Sequence, residues 1–468
     1  MAGRGKKRSR EDGKVAMDSK RTKTSVSHPS HGDTAGLVLT LGEGDVGQLG
    51  LGEDILQRVR PALVKLPNAI LQVCAGGMHT ICLTDKGELY SFGCNDEGAL
   101  GRNTSVEGSE NTPGKVDLEA NIVQVSAGDS HTAALSSDGI VYAWGNFRDA
   151  SGSMGLSSAG ISKVPIMVLP DETVVKISSG SDHLVCLTTQ GEVYTLGCAE
   201  QGQLGRIAGC FTTRGGRKGL DLILNPGLVR CKKYRSRKMV KFSDIWTGQY
   251  MTYAQEKDTE DIYAWGLNNY YQLGFDDMEN RYLPERVASF SMGASWKSIT
   301  AGQHHTVALD TEGRVFTLGR ADYGRLGHGK EGKELSEPTL VAALQENRCT
   351  HIGAGGCVSF AVTEKGTVYA WGMGTSQQLG QSEDEDIYEP TEMGGKQLEH
   401  RRVISVDAGG NTQFCLPRTR METDTLWQGS DKTSCAVHVP IASYRIFEDV
   451  VYGIFPRQQG QNISVKTE

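Results

Sequence analysis

A glycine-centred word returns seven times along this chain. It reads VCAGGMHTICLTDKGELYSFG from Val73, VSAGDSHTAALSSDGIVYAWG from Val125 and ISSGSDHLVCLTTQGEVYTLG from Ile177. It continues as IWTGQYMTYAQEKDTEDIYAWG from Ile245, ITAGQHHTVALDTEGRVFTLG from Ile299, IGAGGCVSFAVTEKGTVYAWG from Ile352 and an incomplete VDAGGNTQFCL from Val406. The leading glycines, Gly76, Gly128, Gly180, Gly248, Gly302, Gly355 and Gly409, are spaced by 52, 52, 68, 54, 53 and 54 residues. A repeat of about 50 residues built from short strand-like runs marks an array or ring of like units.

Within a unit, HTICL and ELYSF carry the aliphatic and aromatic residues of strands, and TDKG between them supplies a tight turn. No long amphipathic helix pattern interrupts the chain. Four short strands per unit make a propeller blade. A second half-word, GCNDEGALGR from Gly93 or GCAEQGQLGR from Gly197, follows each of the first six units. The seventh copy, LTLGEGDVGQLGLG, lies at the other end of the chain, from Leu39. The expected fold is therefore all-β: a seven-bladed β-propeller closed by pairing of N-terminal and C-terminal half-repeats, which removes the open sheet edges of a linear array. The G-x-G-x-x-G at Gly42, Gly44 and Gly47 reads as a blade loop, because no helix pattern follows to make it a dinucleotide cradle.

The expected domains are a basic disordered tail at 1–35, the propeller at 36–417 and a divergent extension at 418–468. The tail holds nine basic residues against four acidic ones, so a chain of net charge −7 leaves −12 on the remainder. Too apolar-poor to fold alone, it carries two basic clusters (Lys6, Lys7, Arg8 and Lys20, Arg21, Lys23) with the form of a nuclear import signal. No apolar run reaches the ~18 residues of a membrane span. The 11 cysteines are scattered without a CxxC, which fits reduced thiols and no zinc site.

The words GDVGQLGLG, AGGMHT, SFGCNDEGALGR, TSVEGSE, SAGDSHTAAL, SGSDHL, TLGCAEQGQLGR and AGQHHTV resemble the regulator of chromosome condensation family from about Gly36 to Leu416. That resemblance implies a guanine-nucleotide exchange factor for the small GTPase Ran. Such a factor works from the nucleus, on chromatin, and generates Ran-GTP near chromosomes for nuclear transport, spindle assembly and nuclear envelope formation. One propeller face would take Ran and the other nucleosomes. An exchange factor breaks no covalent bond and calls for no cofactor or metal, so the chain is not read as an enzyme. The implied partners are Ran, histones H2A and H2B, the DNA phosphate backbone and importin, with no membrane and with the chain a monomer.

The position before the recurrent histidine varies: Met78, Ser130, Asp182, His304. Structural repeats hold their shared residues, so the variable ones are the contact candidates. Asp182 and His304 match the family's principal exchange residues. Asp45, His79, Asp129 and Arg206 match further Ran-binding positions. The shared His131, His183 and His305 read as loop-fixing hydrogen-bonders. NFRDASGSMGL from Asn146 is two residues longer than its counterparts and matches the family's protruding wedge, with Phe147, Arg148 and Asp149 as contacts. Within the 68-residue step, the stretch between Arg206 and Asp244 carries ten basic residues against one acid, a footprint for nucleic acid. By resemblance Arg214 and Arg217 reach the histone acidic patch, and Lys232, Lys233, Arg235, Arg237 and Lys238 lie along nucleosomal DNA. The AWG tryptophans read as blade packing. The chain departs from the family in its MAGRG start, in the missing seventh histidine and after Leu416. A chromatin-binding propeller without exchange activity is the alternative; an enzyme, a light sensor or a ubiquitin ligase lacks the residues it would need.

Overall fold

The computed structural model describes residues 34–211, 219–233, 238–291, 294–381, 384–409, 412–419 and 437–440. The import-signal residues Lys6, Lys7, Arg8, Lys20, Arg21 and Lys23 lie outside them, as do Arg214, Arg217, Arg235, Arg237 and most of 418–468. The fold is an all-β propeller. Six four-stranded antiparallel sheets follow one another within residues 70–115, 122–167, 174–228, 242–286, 296–340 and 349–392. In the third of these the order is Val174–Ser179, His183–Thr188, Val193–Gly197 and Gly227–Leu228.

The sequence dictates each layer. Second strands such as HLVCLT are buried at every residue, because both faces pack on neighbouring sheets, so they read as unbroken apolar runs. The innermost strands all carry a register shift between their first and third residues, as at Val174/Lys176 and Trp296/Ser298. This bulge turns the third side chain toward the next sheet. Gln72 there takes the Val125 N–H (2.9 Å) and donates to the Val125 carbonyl (3.0 Å), and Gln124 repeats both bonds on Ile177 at 3.0 and 2.9 Å. Lys176 instead reaches Asp244 at 2.5 Å. Outer strands carry prolines, among them Pro165, Pro284, Pro338 and Pro390. Proline has no N–H to offer an intruding strand, which blunts these exposed edges.

Sheet is tied to sheet by the repeated words. The Trp144, Trp265 and Trp371 indoles, each fully buried, donate to the carbonyls of Ala99 (2.7 Å), Gln203 (2.9 Å) and Arg325 (3.0 Å) in the preceding sheet's loop. The packing role read for them holds. The glycine of AGxxH is required by closeness: a Cβ on Gly180 would lie 2.1 Å from His183 Cε1 and 2.6 Å from the Gly248 carbonyl.

The first described strand joins late strands of the chain in a further sheet. Val38–Glu43 pairs with Gln57–Val64 and, through Leu39 and Thr40, with Cys415 and Phe414 of Thr412–Thr419. That strand also pairs with Arg401–Ala408, and Val437–Pro440 runs beside it. Ala75 donates to the Asp407 carboxylate at 2.9 Å, and Thr80 to the Gln48 carbonyl at 3.1 Å. The innermost strands surround an axial channel of ≈ 340 Å³. Among the described residues no helix is long and apolar enough to cross a membrane, and no three His, Cys, Asp or Glu side chains form a metal-binding group.

Candidate functional site

The variable position before the histidine sits at one strand end in each of the six four-stranded sheets. The carbonyls of Met78, Ser130, Asp182, Tyr250, His304 and Cys357 accept N–H bonds from Cys94, Asn146, Cys198, Leu267, Arg320 and Met373 at 2.7–3.0 Å. Six unlike side chains thus occupy one equivalent place around the ring. The residue after it does the stitching. His79, His131, His183 and His305 are 0–1% exposed. Their Nε2 atoms meet Thr132 (2.8 Å), Ser179 (3.1 Å), Thr252 (3.0 Å) and Ser359 (2.9 Å) of the next sheet. Burial pushes His79 down to about 4 and His131 and His183 down to about 3, so all are neutral at pH 7. The recurrent histidines hold sheet to sheet rather than loop backbone. His79, expected at the Ran surface, belongs to this set and is closed off from a partner.

Asp182 is half-buried among Asp129, Arg148 and Asp149. Its Oδ1 accepts the Arg148 backbone N–H at 2.7 Å. Burial, reinforced by the Asp129 charge, drives its carboxyl well above the ordinary range. Asp129 is raised as well, chiefly by burial, against the pull of the Ser181 hydroxyl and Arg148. Two acids held at such cost are a mark of a functional site.

The hairpin expected to protrude is formed by Phe147–Asp149 and Gly152–Gly155. Phe147 is fully buried, 4.6 Å from the His131 ring, within the core between the second and third sheets. Its expected role as a partner contact is therefore corrected: it anchors the base, because an aromatic ring gains most from an apolar seat. Arg148 and Asp149 remain half-exposed.

His304 is 8% exposed and faces Asn269 Oδ1 at 3.1 Å, with the Tyr270 ring 5.0 Å away. Burial, then Arg325 and Arg320, push it down to about 3. Arg320 lies over Tyr270 and pairs with Asp322 at 2.6 Å. His304 is therefore a neutral hydrogen-bonding group at pH 7.

Asp45 is exposed on its loop, touched by Gln48 at 3.2 Å. Arg206 is turned inward. Its guanidinium donates to the carbonyls of Thr195 (3.0 Å), Leu222 (2.8 Å) and Asn225 (3.1 Å), and burial lowers it to about 10. Arg102 does the same on Ser91, Ser109 and Thr112, so the LGR arginines are loop braces. Of the basic stretch, Lys232 and Lys238 are exposed. Lys233, in the connection before the fourth sheet, is engaged by Glu256 (2.6 Å) on that sheet's second strand and by Asp258 (2.7 Å) in the turn after it.

Sequence reasoning missed Glu97, Asn146, Glu200, Asn269 and Tyr270. Their signal was available: they sit in the half-words after the second glycine, where the copies differ most.

Residues 37–415 match the model of the RCC1-like domain family. The chain is 52% identical over 406 residues to the regulator of chromosome condensation of Homo sapiens, covering 86% of this chain and 96% of that protein. It is 30% identical over 424 residues to the guanine nucleotide exchange factor SRM1 of Saccharomyces cerevisiae, covering 79% and 84%. The crystal structure of Prp20p from S. cerevisiae, described together with its binding properties to Gsp1p and histones, superposes with a TM-score of 0.73 at 29% identity, covering 84% of this chain and 93% of that one.

Proposed function

Because the chain belongs to the regulator of chromosome condensation family, with its RCC1-like domain at 37–415, we propose that it is a guanine-nucleotide exchange factor for the small GTPase Ran. The observation that carries this reading is the rim. Asp182 and His304 occupy equivalent positions that the repeat does not constrain, and both are held in electrostatically costly settings beside loops with exposed polar groups.

The mechanism is differential binding. A factor that prefers the empty GTPase lowers that GTPase's affinity for nucleotide, and nucleotide lowers its affinity for the factor by the same ratio. Exchange then runs in both directions and no covalent bond is broken. Asp182, His304, Asp45, Asp129, Arg148 and Asp149 form the GTPase-facing set, where acidic groups complement a basic partner. His79, Phe147 and Arg206 support that set from within.

We place the working body at 36–417, as seven blades whose closure rests on the pairing of Val38–Glu43 with Thr412–Thr419. The basic residues of 214–238 make the chromatin contact, with Arg214 and Arg217 on histones H2A and H2B and Lys232 and Lys238 among those on DNA phosphates. The 1–35 tail engages importin, giving a nuclear, chromatin-associated monomer. The extension 418–468 lies outside this reading.

The test is release of labelled GDP from Ran by substoichiometric chain. Acceleration that falls with Asp182→Ala and His304→Ala, at unchanged folding, supports the reading. No acceleration by the unsubstituted chain leaves a chromatin-binding scaffold.

A further inference from the structure

Three carboxylates from two sheets converge on the hairpin 147–155. Glu97 belongs to the loop of the preceding sheet. Its Oε1 accepts Arg148 Nη1 at 2.7 Å and its Oε2 accepts Asn146 Nδ2 at 2.9 Å. Asp182, from the following sheet, accepts the Arg148 N–H at 2.7 Å. Glu200, from that sheet's next loop, accepts the Ala150 N–H at 3.1 Å. At the foot of the hairpin, the fully buried Asn146 passes the constraint on: its Oδ1 takes the Gly155 N–H (2.7 Å) and the Ser153 hydroxyl (3.1 Å).

These bonds do what the hairpin cannot do for itself. Two short strands joined by the Ala150-Ser151 tip have too few pairs to be rigid alone. Of the hairpin, Phe147 and Met154 near its base are in the core. The outer half, where Arg148 and Asp149 are displayed, is held from outside by side-chain carboxyl oxygens, one of them in an ion pair with the Arg148 guanidinium, a stronger bond than one between neutral groups. Glu97 on one side and Asp182 with Glu200 on the other oppose each other, so the tip is held against swinging either way along the ring.

We propose that Glu97 and Glu200 are positioning residues for nucleotide exchange: with Asp182 they clamp the 147–155 hairpin in the single pose from which Arg148 and Asp149 meet the GTPase. This rests on the exchange reading above. It assigns the two glutamates a role through the hairpin, and it makes Asp182 a clamp as well as a rim group. A displaced hairpin still allows the rest of the rim to dock, so the expected signature is a lower kcat for GDP release at nearly constant KM.

The experiment uses the full chain as Glu97→Ala, Glu97→Gln, Glu200→Ala and Glu88→Ala. The last breaks the distant surface pair with Lys115 and serves as a control. Hydrogen exchange reads the Arg148 and Ala150 amides in the free protein, thermal unfolding reads integrity, and stopped-flow GDP release from Ran gives kcat and KM. Protection of both amides should fall about tenfold or more in Glu97→Ala and Glu200→Ala, by local opening at unchanged melting. The kcat should fall about tenfold with KM within about twofold, as misplacement of a working group does. Glu97→Gln keeps one acceptor and should be intermediate, which also decides the matter if Glu97→Ala unfolds. Unchanged amide protection, or lost protection with unchanged kcat, overturns the proposal. If the unsubstituted chain releases no GDP, the exchange reading has failed and the positioning role falls with it. The amide data then report separately whether the clamp exists.

Discussion

Asp407 offers a measurement of what ties the Arg401–Ala408 strand to the first sheet. Its carboxylate lies on the channel wall and accepts the Ala75 N–H at 2.9 Å, joining the Arg401–Ala408 strand to the innermost strand of the first sheet. Burial lifts it from 3.8 to about 6, against the pull of the Ala75 and Ala408 N–H groups. A carboxyl whose folded value is raised stabilises the fold fully only below its unfolded value and loses that contribution as pH climbs through the folded one. The window is therefore about pH 4 to 6. A shift of about two units corresponds to roughly 3 kcal/mol lost at pH 8 and under ~1 kcal/mol at pH 4. The carboxylate faces the channel, and water reaching it reduces the figure, so about 3 kcal/mol is an upper bound. Asp407→Asn keeps an acceptor for Ala75 and removes the charge. Its urea midpoint should exceed that of the parent at pH 8, and the gain should shrink at pH 4. Asp407→Ala leaves the Ala75 N–H unpaired at a cost of about 1–3 kcal/mol and should fall below the asparagine variant. An asparagine variant less stable than the parent at pH 8, or a gain that ignores pH, would refute the argument.

Three further outcomes are expected. The buried histidines are depressed below 6.5, so their contribution is present above about pH 6.5 and drains away as pH falls toward their folded values near 3–4. Between pH 7.5 and 5.5 each should cost about 1 kcal/mol, and proton uptake on unfolding at pH 5.5 should exceed two per molecule. Gly180→Ala drives a Cβ into His183 and the Gly248 carbonyl and should cost several kcal/mol, of the order of other overpacked or strained sites (~1–3 kcal/mol or more); a neutral midpoint would show that the sheets can part. Phe147→Ala should cost about 3–5 kcal/mol and lose exchange with stability, whereas Arg148→Ala should lose exchange at unchanged melting.

Much of this was legible because a repeat aligns a chain with itself. Glycine spacing, the Thr-x-x-Gly turns and the AWG words gave the propeller and its packing directly. Comparing copies also exposes what single residues hide. Arg206 has a twin in Arg102, and His79 has twins in His131, His183 and His305, so their shared structural work follows from recurrence. The prolines in the outer strands repeat as clearly and mark the exposed edges. What the sequence does not encode locally is convergence across sheets. Glu97, Asn146, Asp182 and Glu200 are far apart in the chain and meet only because neighbouring loops stand side by side. Phe147 sits in the motif's most exposed-looking word, yet the neighbouring core takes its ring and leaves Arg148 outside.

The central claim is differential binding of an empty GTPase, and affinity for its two states measures that most directly. Titrating the chain against nucleotide-free Ran and against Ran loaded with GDP should give far tighter binding to the empty form. The ratio should equal the factor by which the chain weakens GDP binding, as linkage requires. Equal affinity for both forms would contradict the account, however tightly the two proteins associate.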